Sequence, residues 1–198
     1  MFAGLGDAPA ASTVGETFVA PQCSSVLLNH FSFYARGYPA NGDCVATIEG
    51  IVYDWSGNMT GAGGGAVGMP ISIGSPFTFS AGSTTWKPMT VNTGGVVALV
   101  PGGHYVMAVT VAGSSTLPAE FEEVVRYTPI PADVDGNGGL VWLNSGLLTT
   151  QPWSTWGDVG DLGFTANFTV VVPEPSPLMI LAVAVLALAA FWKVRILG

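Results

Sequence analysis

"SVLLNHFSFYARGYPANGDCVATIEGIVYDWSG", residues 25–57, decides the fold class. Two runs rich in β-branched and aromatic residues flank a cluster of turn formers, the pattern of strand, turn and strand. Strict alternation along Val26–Tyr34 puts Leu27, Asn29, Phe31 and Phe33 on one face and Val26, Leu28, His30, Ser32 and Tyr34 on the other. The ring pair Phe31/Phe33 marks the first as the core face. Between the runs, Pro39–Asp43 reads as a turn, because Asn41-Gly42 takes positive φ at little cost.

The same texture continues outward. "ETFVAP" before this stretch and "HYVMAVTVAG" after it are further strand runs bounded by Gly, Pro, Asn and Asp. "PGGHY" at 101–105 is a second turn, and "GAGGGAVG" at 61–68 reads as a flexible loop. It is no phosphate cradle, since no Lys follows it and no helical pattern begins there. No segment before Pro173 sustains a 3.6-residue period, so the expectation is an all-β body: an antiparallel β-sandwich or jelly roll over residues 13–171. Residues 1–12 are expected to be disordered.

Composition narrows the function classes. Only 9% of the 198 residues are charged, with 27 Gly and 14 Pro, which is too apolar for a disordered chain and too rich in turn formers for a bundle. The formal charge is −8, from 13 carboxylates against five cations, so phosphate backbones would repel the chain and no nucleic-acid partner is expected.

Catalytic constellations are sparse. The chain has two His and two Cys, and no G-x-S-x-G. His30 alternates onto the polar face of its strand and His104 follows two glycines in a turn. Glu120, Glu122, Glu123, Asp158 and Asp161 could serve glycosidase-type acid–base chemistry, but nothing sets a working separation, and "PAEFEEVVRY" reads as an edge strand or loop. The expectation is a non-enzyme without a cofactor. The weak metal candidate is calcium at Asp133, Asp135 and Asn137, positions 1, 3 and 5 of "DVDGNGGLVWLN". Position 12 there is Asn144, which lacks a bidentate carboxylate, so a hairpin turn entering the strand "LVWL" is the favoured reading.

Cys23 and Cys44 leave a disulfide open. In one hairpin around Asn41-Gly42, Cys44 would face a residue near Ala35, leaving Cys23 roughly 40 Å away at the strand rise. A bridge needs Cα atoms within roughly 7 Å, which a bend into another sheet would have to supply.

The C-terminus changes character. Pro173, Pro175 and Pro177 form a stiff lead into Leu178–Trp192, a run with no charge, Gly or Pro. Snorkelling by Lys193 and Arg195 would extend it to a single transmembrane helix over 178–197, with that basic end in the cytoplasm. Val172-Pro173-Glu174-Pro175, this apolar run and the basic end together resemble the PEP-CTERM sorting signal of Gram-negative bacteria, which would occupy 172–198. The resemblance implies an exosortase, a membrane cysteine protease that cleaves near the motif, as partner, with membrane lipid as a partner in transit. Here the basic cluster is two cations separated by Val194.

The body is similar to the β-sandwich ectodomain found with that signal. The matching pieces are Phe31-Ser32-Phe33-Tyr34, Val52-Tyr53-Asp54-Trp55 with Gly57, Leu99-Val100-Pro101-Gly102 with Tyr105, and Asp161-Leu162-Gly163-Phe164. Export implies a secretory leader. The N-terminus has no cation before Arg36 and no long apolar run, so the reading frame is expected to begin upstream.

The expected function is therefore that of a non-catalytic surface protein. It would be anchored in the inner membrane with its body outside, then found at the cell surface or extracellular after processing, associated with the envelope or exopolysaccharide. The alternative is a carbohydrate-binding module whose rings (Trp55, Trp86, Trp142, Trp153 or Trp156) stack on sugars. A glycoside hydrolase is the third reading.

Overall fold

The computed structural model describes residues 4–5, 13–23, 25–37, 44–59, 63–82, 84–111, 121–123, 138–143, 153–155 and 163–170, with Leu181 and Leu186. The strands are β1 (Gly4–Leu5), β2 (Thr13–Val19), β3 (Val26–Gly37), β4 (Cys44–Ser56), β5 (Gly65–Ile73) and β6 (Phe77–Ala81). They continue with β7 (Lys87–Leu99), β8 (His104–Val111), β9 (Phe121–Glu123), β10 (Gly139–Leu143), β11 (Ser154–Thr155) and β12 (Phe164–Val170). Every strand pairing is antiparallel, so the body is all-β as its turn spacing implied.

A five-stranded sheet runs β1-β9-β3-β12 with β7 also on β3, and a seven-stranded sheet runs β11-β10-β2-β8-β4-β5 with β6 also on β4. One apolar cluster draws from both. Val26, Leu28, Phe31, Phe33, Met89 and Val91 come from the smaller sheet, and Val14, Phe18, Ile48, Val52, Met107 and Leu140 from the larger. The two sheets therefore share a single core layer.

The stretch that announced the fold does not form a hairpin. β3 and β4 lie in different sheets, and the reason is edge occupancy. β7 pairs along Val26–Ala35 on one edge of β3, while β12 and then β9 fill the other. β4 likewise has β8 on one edge and β6 and β5 on the other. The linking residues 38–43 are long enough to cross the roughly 10 Å between packed sheets. The expected turn at Pro39–Asp43 lies outside the described residues.

Alternation along β3 also breaks once. Opposite β12, His30 pairs with Asn167 and Leu28 with Phe168, so Asn29 is an extra residue, a β-bulge. Phe31 and Phe33 face the core as expected. On the other side of the bulge Val26 and Leu28 are the buried pair, rather than Leu27 and Asn29. The bulge thus turns two consecutive residues, Asn29 and His30, outward.

Part of the larger sheet's outer face is covered too. Ile51, Tyr53, Trp55, Val106, Ala108, Val141 and Trp153 form a second cluster, packed against Met59 and Ala66. This is why β2 is buried along nearly its whole length. Its threonines are paired: Thr13 Oγ1 donates to Thr110 Oγ1 at 2.8 Å, and Thr17 Oγ1 donates to Met59 O at 2.7 Å while accepting from Gly139 N at 2.9 Å.

Two further details differ from the sequence reading. Gly65–Gly68 of the expected flexible loop open β5. Gly64 is needed because a Cβ there would sit 2.5 Å from the Trp55 ring. Gly4 and Leu5, within the segment set apart from the body, pair with β9. The turn at 101–103 is as expected: Gly103 N donates to Val100 O at 2.9 Å, and Gly102 takes φ 72°, the conformation that follows Pro in a type II turn. Of the C-terminal run only Leu181 and Leu186 are described, both helical and exposed. Among the described residues no helix is long and apolar enough to cross a membrane.

Candidate functional site

The outer face of the smaller sheet is open to solvent along β7 and β12. Regular alternation in β7 and β12 sends Met89, Val91, Phe164, Ala166 and Phe168 inward, and Thr90, Asn92, Thr165, Asn167 and Thr169 outward to solvent. β3 lies between them. Register then lays polar rows across the three strands: Thr90–Ser32–Thr165, and Asn92–His30–Asn167. The side chains are tied to one another. Ser32 Oγ and Thr90 Oγ1 are 2.8 Å apart, and Asn29 Nδ2 donates to Asn167 Oδ1 at 2.7 Å and Thr169 Oγ1 at 2.9 Å. The second of these ties exists because the bulge presents Asn29 beside β12.

An aromatic and cationic pair closes one end of this face. Arg36 follows Tyr34 on the outer side of β3, and its guanidinium carbon lies 4.4 Å from the centre of the Trp86 ring. Lys87, whose register partner is the buried Ala35, reaches the other sheet and donates to Ser80 O at 3.4 Å. Glu122 is the register partner of Arg36 on β9. β3, β7 and β12 contain no Asp or Glu, although the chain has 13.

Among the described residues, the rings proposed for sugar stacking form no exposed row. Trp55 and Trp153 are each 5% exposed and meet edge to face, with centroids 5.8 Å apart. Trp55 Nε1 donates to Asn58 O at 3.0 Å. Trp142 packs against the main core. Trp86 is 36% exposed. Trp156 lies outside them.

Glu122 and Glu123 lie on β9, and neither Glu120, Asp158 nor Asp161 is among the described residues. Nor are the calcium-loop candidates Asp133, Asp135 and Asn137, although the strand expected after them is present as β10. Val172, Pro173, Glu174, Pro175, Lys193 and Arg195 also lie outside the described residues. No group of three His, Cys, Asp or Glu side chains able to hold a metal occurs among the described residues. His30 lies half-buried on the outer face and His104 is exposed at the start of β8. Cys23 is a free thiol in this structure, its Sγ donating to Pro21 O at 3.5 Å.

Two buried groups escaped the sequence reading. Glu16 alternates with Val14 and Phe18 and is 0% exposed on the core side of β2. Tyr53 sits in the outer cluster, where burial pushes its hydroxyl above the ordinary value of 10.0. Glu49 and Asp54 lie on opposite faces of β4.

No protein-family model, curated protein or solved structure matches this chain. What the outer face offers chemically is hydrogen bonding from uncharged amides and hydroxyls on a rigid support, with one indole at its end.

Proposed function

We propose that the chain is a non-catalytic exported surface protein, sorted through residues 172–198 by an exosortase and associated with the envelope or its exopolysaccharide. The body would be a β-sandwich of the jelly-roll kind, and 178–197 a single transmembrane helix. The observation that carries this reading is the order Pro-Glu-Pro, apolar run, basic end, beginning three residues after the end of β12. β12 ends beside Val26 and Leu99, so that end of the body would face the bilayer. Extended residues 171–177 span about 22 Å at the polyproline rise, which leaves a protease room to grip backbone between body and membrane. The prolines keep this lead out of the helix, and the two cations hold the tail end inside, because carrying them through hydrocarbon costs several kcal/mol. Glu174 supplies a charged handle in the water-facing zone.

The test replaces Pro173-Glu174-Pro175 by three alanines in a host that carries an exosortase. The expected outcome is full-length protein held in the inner membrane, against a tail-less wild type at the surface or in the medium. Identical fractionation and migration of the two would refute sorting and leave an ordinary membrane anchor.

A further inference from the structure

The outer face of the smaller sheet has a composition that solubility does not explain. A solvated sheet face ordinarily intersperses Lys, Arg, Glu and Asp. Here a chain with 13 carboxylates places none on β3 or on the two strands, β7 and β12, that flank most of it. Thr90, Asn92, Thr165, Asn167 and Thr169 are exposed there, with His30, Ser32 and Tyr34 of β3 between them. We propose that this face binds an uncharged polysaccharide strand, its hydroxyls hydrogen-bonded by the Asn and Thr rows and one sugar ring lying against Trp86.

Three observations converge on that ligand. Amides and hydroxyls both donate and accept, as sugar hydroxyls do, whereas a charged polymer would call for counter-charges. The one cation on these outward positions, Arg36, is already stacked over Trp86, so it orients the ring rather than recruiting an anion. The face is also pre-organised. Asn29 holds Asn167 by its Oδ1 and leaves that residue's NH2 to point away, and Ser32 fixes Thr90. Side chains already restrained lose little entropy on binding. From Leu27 to Arg36 the face is about 30 Å long at the ordinary strand rise, enough for several consecutive rings.

The inference rests on the reading of the chain as an exported surface protein, but its test does not. The full chain, in detergent micelles, is run by affinity electrophoresis in gels containing dextran, laminarin, galactomannan or, as the charged arm, alginate. Retardation is expected in at least one of the three neutral gels. The double variant Asn92→Ala/Asn167→Ala should weaken it by about tenfold, the effect of removing two side-chain hydrogen bonds. Trp86→Ala should weaken it as well. Melting temperatures of these variants should stay near wild type, since the positions are exposed, and Thr47→Ala on the other sheet should bind as wild type. Retardation in no neutral gel, retardation in alginate alone, or retardation indifferent to the Asn92 and Asn167 changes would overturn the proposal. None of these results bears on cleavage at Pro173-Glu174-Pro175, which the alanine replacement reads separately.

Discussion

Gly50→Ala tests how closely the two sheets approach. Gly50 lies on the core face of β4, and a Cβ built there would be 2.0 Å from Val91 Cγ1, 2.6 Å from Cγ2 and 2.7 Å from Cβ of the facing sheet. Ordinary carbon contacts are about 3.5–4.0 Å, so a gap of about 1.5 Å must open. Rotating Val91 does not provide it, because its Cβ is itself too near. Gly74 braces the same point, its N donating to Gly50 O at 2.8 Å, and Ser72 Oγ ties β5 to Thr93 O of the smaller sheet at 2.9 Å. The sheets must therefore move apart locally, and the cost belongs at the upper end of the overpacking range, about 3 kcal/mol. At about 2–4 °C per kcal/mol for a protein of this size, the melting temperature should fall by roughly 6–12 °C.

Val91→Ala removes the two closest atoms, and alone it should cost about 2 kcal/mol from the lost methyl groups and the cavity. Combined with Gly50→Ala, it should restore part of the loss. Urea unfolding of the full chain in micelles, followed by tryptophan fluorescence, measures all three variants. The double variant should be more stable than the sum of the singles by at least about 1 kcal/mol. Additivity within about 0.5 kcal/mol would show that the two residues do not meet, and would refute the packing.

Alkali should act through Tyr53. Its folded pKa is raised above 10.0 by burial, so the native state holds the proton more tightly than the unfolded chain does. Stability from this group is present below about pH 10 and is lost as pH rises through the folded value. The melting temperature should therefore fall more steeply between about pH 9 and 11.5 in wild type than in Tyr53→Phe, and equal slopes would count against the effect. Calcium should not be required for folding, since Asn144 takes the place of the bidentate carboxylate. A rise of more than about 10 °C on adding millimolar calcium would contradict this, because a cation bound to the native state alone stabilises it by mass action.

The sequence alone determined what is local. Period-two runs between turn formers gave the antiparallel all-β body, and Pro101-Gly102 gave its turn, since each depends only on residues a few positions apart. The reading of the tail rests on the same kind of local signal: a proline lead, an apolar run and two terminal cations that are contiguous. Pairing was another matter. "SVLLNHFSFYARGY" and "CVATIEGIVYDWSG" carry every sign of a hairpin, yet strands 26–35, 44–54 and their neighbours compete for edges. Edge occupancy is settled by the whole chain, and here segments up to 140 residues apart in sequence lie side by side, as Asn29 and Thr169 do. The bulge at Asn29 arises from that long-range register, and no local rule marks it. Trp55 and Trp153 looked available for a ligand until that part of the larger sheet's outer face proved to be covered, which again depends on loops arriving from elsewhere. The polar face was written in three separate segments, 26–37, 87–99 and 164–170, each free of carboxylates. Only the sheet made them neighbours, because hydrogen-bonded register is what converts three unremarkable strands into one continuous surface.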